Sequence, residues 1–200
     1  ATGDRTWLRE DAWPILRDTA DFWASRVSFD AKQGRYEIGK VVAVNESLIG
    51  VNNDPYTNAV AERNLELAVE AARVVGVKPD PKWTEIAAKM HVPDTTSPLL
   101  NFPLEFPWTS QEMRTSIVQA QGEIHRGETG AMMGGEFYPI IAAELGDRSL
   151  IGELLEPLWK PYLRPPFEVV AVTPHNQNTN FITGAGAFSQ QLFFGYSGLR

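Results

Sequence analysis

The chain has 200 residues, 43% of them hydrophobic and 22% charged, which is enough for a substantial core and too apolar for a disordered segment. A net charge of −7 with no basic run excludes a surface built for nucleic-acid backbones or anionic lipid. Cysteine is absent, which excludes disulfides, thiolate metal sites and a cysteine nucleophile, and no apolar run reaches the roughly 18 residues of a membrane span.

In chain order, Thr2 to Val27 predicts a helical pair, because Trp13, Leu16, Ala20, Trp23 and Val27 recur near a 3.6-residue period and Pro14 falls where a first turn tolerates it. Gly34 to Val44 alternates around Tyr36 and Ile38 and then runs apolar, as a short strand does. The next segment carries Asn45, the carboxylate of Glu46, then Asn52, Asn53 and Tyr56. Asn and Tyr offer paired donors and acceptors beside an apolar face, the complement of a sugar ring. The same residues also suit a plain turn capped by Thr57 or Asn58. Thr57 to Val75 is the clearest helix, with Ala61, Leu65, Ala68, Ala72 and Val75 on one face and Gly76 at its end. Asp80-Pro81 begins another helix, to Met90.

His91 to Thr109 is proline-rich and irregular, a long connection of the kind that often serves function. Helices are predicted over Ser110 to Gly122, over Gly130 to Leu145 with an early interruption at Gly134-Gly135, and over Ser149 to Tyr162 until Pro157 or Pro161 stops it. Val169 to Asn180 is extended and then polar, and its Thr173-Pro174-His175-Asn176-Gln177-Asn178 makes a second Asn-rich loop. Ile182 to Tyr196 closes the chain with a helix rich in small residues.

Helices joined alternately by short and long loops predict an all-α fold of stacked helical hairpins, one domain over residues 1–200. The long loops then gather at one end, with Glu46 and Asn176 near each other. His91, His125 and His175 are too scattered for a metal motif, and no cofactor is expected. His175 and Asn176 are candidate ligand contacts. Trp108 and Trp159 could stack on a sugar, although core packing accounts for them more simply. Ser189 lacks the glycine setting of a nucleophile elbow.

Three separated segments together resemble glycoside hydrolase family 65, a family of disaccharide phosphorylases, trehalases and α-glucosidases. They are Asn45-Glu46 with Gly50-Val51-Asn52-Asn53 and Tyr56-Thr57-Asn58; the opening Trp7-Leu8, Trp13-Pro14 and Phe22-Trp23-Ala24-Ser25-Arg26-Val27; and Asn180-Phe181-Ile182-Thr183-Gly184-Ala185-Gly186-Ala187-Phe188 with Gly198-Leu199-Arg200. The resemblance covers nearly the whole chain. It implies the C-terminal half of a catalytic (α/α)₆ barrel and inverting chemistry on an α-glucosidic bond, with Glu46 as the general acid. It also implies an α-glucoside or glycoconjugate sugar as ligand, and a partner in the form of the missing N-terminal half or a second copy.

The chain departs from the family pattern at three places. Asn45 replaces an Asp, Val172 stands where hydrolytic members carry the general base, and a phosphate-side Lys-Gln motif is not recognisable around His91 to Thr96. Val cannot take a proton. Three readings follow: hydrolysis through another carboxylate, of which Glu136 and Glu105 are candidates; phosphorolysis, which needs no base; or sugar binding without turnover. A helical interaction module whose loops face a partner chain is a fourth.

Overall fold

Asp4 starts the first helical stretch: its carboxylate accepts hydrogen bonds from Thr6 N and Trp7 N, both at 3.0 Å, as an N-cap does. The computed structural model describes residues 3–44, 46, 48–95, 97–126, 130–135 and 137–199. In it α1 (Arg5–Trp7) passes through a π-helical segment, Leu8–Ala12, directly into α2 (Trp13–Arg26). The expected helical pair is therefore one continuous stretch. Trp7, Ala12 and Trp13 all hold right-handed helical dihedrals, and Pro14 sits in the first turn of α2, where its missing N–H costs nothing.

The chain divides into two compact units, Ala1–Thr95 and Thr96–Arg200. In the first, β1 (Ser28–Asp30) and β2 (Arg35–Glu37) pair antiparallel with Phe29 opposite Tyr36. The Asp30 carboxylate ties the turn by accepting from Lys32 N at 2.8 Å and Gln33 N at 3.2 Å. A second antiparallel pair, β3 (Val41–Val42) and β4 (Ile49–Val51), leads into α3 (Pro55–Val75). Asp54 caps α3 through Thr57 N at 2.8 Å, and Gly76 ends it with φ +80°, a left-handed conformation that suits glycine. Asp80 caps α4 (Pro81–Ala88) in the same way.

Ala20 of α2, Leu65, Ala68 and Val69 of α3, and Trp83, Ile86 and Ala87 of α4 form the core of this unit. The small residues on α3 let α2 and α4 lie close to it. Trp13 meets Trp83 edge-on at 6.2 Å, and the Trp83 indole donates to Asp21 at 3.1 Å. Burying the ring therefore leaves no orphaned donor.

Removing the Asp54 carboxylate should be felt throughout this unit, since it takes both Thr57 N and Thr57 Oγ1, the latter at 2.7 Å. Asp54→Ala is expected to cost about 1 kcal/mol and to lower the melting temperature by roughly 2–4 °C, read by circular dichroism.

Glu62, also on α3, behaves differently: burial and the neighbouring Glu66 push its carboxyl up to about 7. The folded chain then keeps a proton that the unfolded chain gives up above its ordinary value of 4.5. Stability is full below pH 4.5 and falls as pH rises toward 7, because folding must retain that proton or bury the charge. Allowing for the group's partial exposure to solvent, Glu62→Gln should stabilise the fold at pH 8 by about 1–2 kcal/mol. The melting temperatures of the two proteins should converge at pH 4.

The second unit contains α5 (Pro98–Asn101), α6 (Ser110–Arg126), α7 (Met132–Gly135), α8 (Tyr138–Glu144), α9 (Arg148–Trp159) and α10 (Ile182–Gln190), the last continuing into a π-helical segment, Gln191–Tyr196. Thr109 and Glu112 cap α6 reciprocally: Thr109 N donates to the Glu112 carboxylate at 2.6 Å and Glu112 N to Thr109 Oγ1 at 3.3 Å. Ile117, Ala120, Tyr138, Ile141, Ala142, Leu154 and Leu158 form one core, and Phe102, Phe137 and Ile140 a second.

The helix predicted over Gly130 to Leu145 with an early interruption at Gly134-Gly135 is two, α7, which ends at Gly135, and α8. Gly135 brings α7 against α9, where a Cβ at that position would stand 2.6 Å from Leu158 Cδ2. Of the two prolines expected to stop the next helix, Pro157 lies inside α9, which ends at Trp159, two residues before Pro161. The bond lost at Pro157 is offset by Leu154 and Leu158, which are buried on either side of it.

Between α9 and α10, β5 (Leu163–Arg164) pairs antiparallel with β6 (Val169–Val170), and the last long loop follows. The fold is all-α. Its only sheets among the described residues are the three two-stranded hairpins.

Candidate active site

Glu46 stands at the tip of the β3–β4 hairpin, in a loop closed by a hydrogen bond from Ala43 N to Leu48 O at 3.0 Å. Its side chain is exposed. Ala43 turns inward, while Val42, Val44, Leu48 and Ile49 are 54%, 40%, 51% and 76% exposed around the tip. Within this unit these apolar side chains are open to solvent. Asn45 lies outside the described residues.

The Asn-rich segment forms the base of the same hairpin. Asn53 adopts φ +55°, donates its N–H to Ile38 O at 2.8 Å, and its Oδ1 accepts from Ile38 N at 3.2 Å and from Asn58 Nδ2 at 3.1 Å. Asn58 is fully buried and also donates to His91 O at 2.7 Å. Asn52 Oδ1 accepts from Lys40 N at 3.1 Å and lies 2.9 Å from the place a Cβ on Gly39 would take, so Gly39 is the residue that admits it. The side-chain oxygens of Asn52 and Asn53 are thus spent on the chain itself. They fix the direction in which the hairpin leaves α3. Tyr56, in the first turn of α3, is half-buried, and burial pushes its phenol up from the ordinary value.

The last loop, in the other unit, is also tied internally. Val172 N donates to Asn178 O at 3.0 Å, Val172 O accepts from Met132 N at 3.0 Å, and Thr173 N donates to Asn176 Oδ1 at 3.4 Å. His175 is exposed at its outer edge, and Asn176 is half-buried. Arg164, nine residues ahead of Thr173 in the chain, reaches the loop through the β5–β6 hairpin and donates to Thr173 O, Pro174 O and Asn176 O at 3.1, 2.7 and 3.0 Å.

Of the other carboxylates considered, Glu105 is exposed with φ +54°, and Glu136 lies outside the described residues, as does the side chain of His125. Trp108 packs against the first core of the second unit, and Trp159 lies 5.7 Å from Phe188. Both serve packing. No group of three or more His, Asp or Glu side chains among the described residues could hold a metal ion, and no helix there is long and apolar enough to cross a membrane.

Residues 1–101, the stretch holding the Glu46 hairpin and its base, match the glycosyl hydrolase family 65 central catalytic domain. The chain belongs to that family. It is 34% identical to the kojibiose hydrolase of Flavobacterium johnsoniae, over 99% of this chain and 32% of that one. It is 32% identical to the protein-glucosylgalactosylhydroxylysine glucosidase of Danio rerio, over 93% of this chain and 31% of that one. A periplasmic/secreted acid trehalase of Candida glabrata is 29% identical, over 98% of this chain and 19% of that one. The chain spans about a third of the length of the first two relatives. Among solved structures, the "Putative kojibiose phosphorylase from human microbiome" shares the fold across 100% of this chain and 37% of its own, with a TM-score of 0.69 at 13% identity. That protein has an (α/α)₆ barrel fold, and this chain shares it over its own length.

Sequence reasoning missed what two residues beside these loops do. Asn58 reads as a helix cap and is instead a buried tie between α3 and His91. Arg164 belongs to no local motif, and the only signal for it is a strand–proline–strand pattern that folds it back onto the loop.

Proposed function

We propose that this chain is the acid-bearing part of a family 65 catalytic barrel that cleaves an α-glucosidic bond with inversion. The observation that supports this most directly is the hairpin: an exposed carboxylate, Glu46, is carried at its tip, and side-chain amides brace its base. In this reading Glu46 protonates the leaving oxygen. The apolar side chains around it become one wall of the site once sugar or further chain covers them. Asn45, Tyr56, His175 and Asn176 contact the sugar, and Asn52 and Asn53 contribute through their amide nitrogens. Residues 1–200 act as one domain, completed by the rest of the barrel or by a second copy. The ligand is an α-glucoside or a glycoconjugate sugar, and the chemistry needs neither a metal nor an organic cofactor.

Val172 favours a second reading, a domain that binds sugar without turning it over, because a general base cannot come from that position. Phosphorolysis has less support. The segment from Thr173 to Asn180 holds no Lys or Arg, and both terminal nitrogens of Arg164 are already engaged with carbonyls.

Glucose release from kojibiose and trehalose, measured with and without inorganic phosphate, separates these readings. Release without phosphate supports hydrolysis, and release only with phosphate supports phosphorolysis. Thermal stabilisation by glucose without release supports binding alone. Neither release nor stabilisation would overturn the proposal and leave an interaction module.

A further inference from the structure

Arg164 ends β5 half-buried, and its guanidinium is surrounded by main-chain oxygens. Nη1 donates to Pro161 O and Leu163 O, both at 2.9 Å, while Nη2 donates to Thr173 O, Pro174 O and Asn176 O at 3.1, 2.7 and 3.0 Å. One planar group thereby joins the end of the α9 segment to the start of the last loop. A lysine ammonium is a single point with three donors and cannot serve both sides in this way. Three carbonyls drawn from four successive residues toward one cation force that run to curl around it. The bonds from Thr173 N to Asn176 Oδ1 and from Val172 N to Asn178 O close the curl. The same cage uses up the forked donors that an anion would need, so the cation beneath this loop is not arranged to bind phosphate.

We infer that Arg164 is the positioning residue of the last loop, holding Thr173 to Asn176 in the conformation that offers His175 and Asn176 to a sugar. This rests on the proposed function: Arg164 acts through those two side chains and does not itself touch the ligand.

The test uses the full protein as wild type, Arg164→Lys, Arg164→Met and Arg164→Ala, with two readouts. Amide hydrogen exchange is followed at Val172 and Thr173, and glucose binding by saturation-transfer NMR. In the Met and Lys variants exchange should speed at least tenfold at those amides while α8 and α9 stay protected, and glucose affinity should fall at least fivefold. Adding millimolar guanidinium to the Ala variant should restore both together, which a general loss of stability would not allow. Wild-type exchange in Arg164→Met, or full function in Arg164→Lys, would overturn the inference. So would an affinity that stays unchanged while the loop amides open. If the wild-type protein binds no glucose, the proposed function falls and takes the ligand half of this inference with it. The exchange measurements still decide whether Arg164 holds the loop.

Discussion

Glu46→Gln is expected to lower glucose release from kojibiose by about 10²–10⁴-fold, the range that general acid catalysis supplies. The amide keeps the size and the hydrogen-bonding edge of the carboxyl group and removes only the transferable proton. Because Glu46 is exposed at a hairpin tip, the fold should be indifferent to the change. Surface substitutions of this kind usually stay within about 0.5 kcal/mol. The loss should also depend on the leaving group. An α-glucosyl fluoride needs little protonation to depart, so its hydrolysis should fall far less than that of the disaccharide. Equal losses on both substrates would assign Glu46 to binding. No loss on either would remove it from the mechanism.

The second large effect is a gain. Val172→Glu puts a carboxylate just before Thr173-Pro174, the position that the family resemblance implies for the base of hydrolytic members. The main chain there is held at both Val172 N and Val172 O, and the side chain is only half-buried. A glutamate can therefore enter without breaking the loop. If water activation is what the chain lacks, phosphate-independent release should rise by about 10²-fold or more. If the proposed acid, Glu46, serves the same reaction, the rise should vanish in the double variant with Glu46→Gln. A rise that survives loss of Glu46 would point to a different acid. No rise, in a protein that already hydrolyses well, would mean that its base comes from elsewhere.

The parts of the fold that sequence reveals are those set by neighbours in the chain. Asp54-Pro55 and Gly76 bound α3, Asp80-Pro81 starts α4, and the alanine stripe of α3 packs where its period puts it. Each signal spans at most a few turns. Where the local signals leave a choice, distant contacts decide it. Pro157 does not end α9 because Leu154 and Leu158 are held in a core built from α6 and α8. The helix over Gly130 to Leu145 breaks in two, and Gly135 serves to bring its first piece against Leu158, 23 positions later.

The site divides in the same way. The carboxylate at the hairpin tip and the second Asn-rich loop are legible as composition. What the asparagines do is not. Asn53 and Asn58 look alike in a string of letters, yet one takes a left-handed turn and accepts from Ile38 while the other is sealed beneath it and donates to His91. That Arg164 lies under Thr173 and Pro174 is signalled only by the strand–proline–strand pattern around it, since it depends on a two-residue strand pairing.

The guanidinium under the last loop has one more effect. An arginine side chain stays charged through any pH at which the protein remains folded. Its carbonyl partners do not titrate at all. A loop held by histidine or by a carboxylate would loosen or tighten as its holder gained or lost a proton, and this one has no such setting. Across acidic and neutral conditions alike, the shape of Thr173 to Asn176 should stay constant.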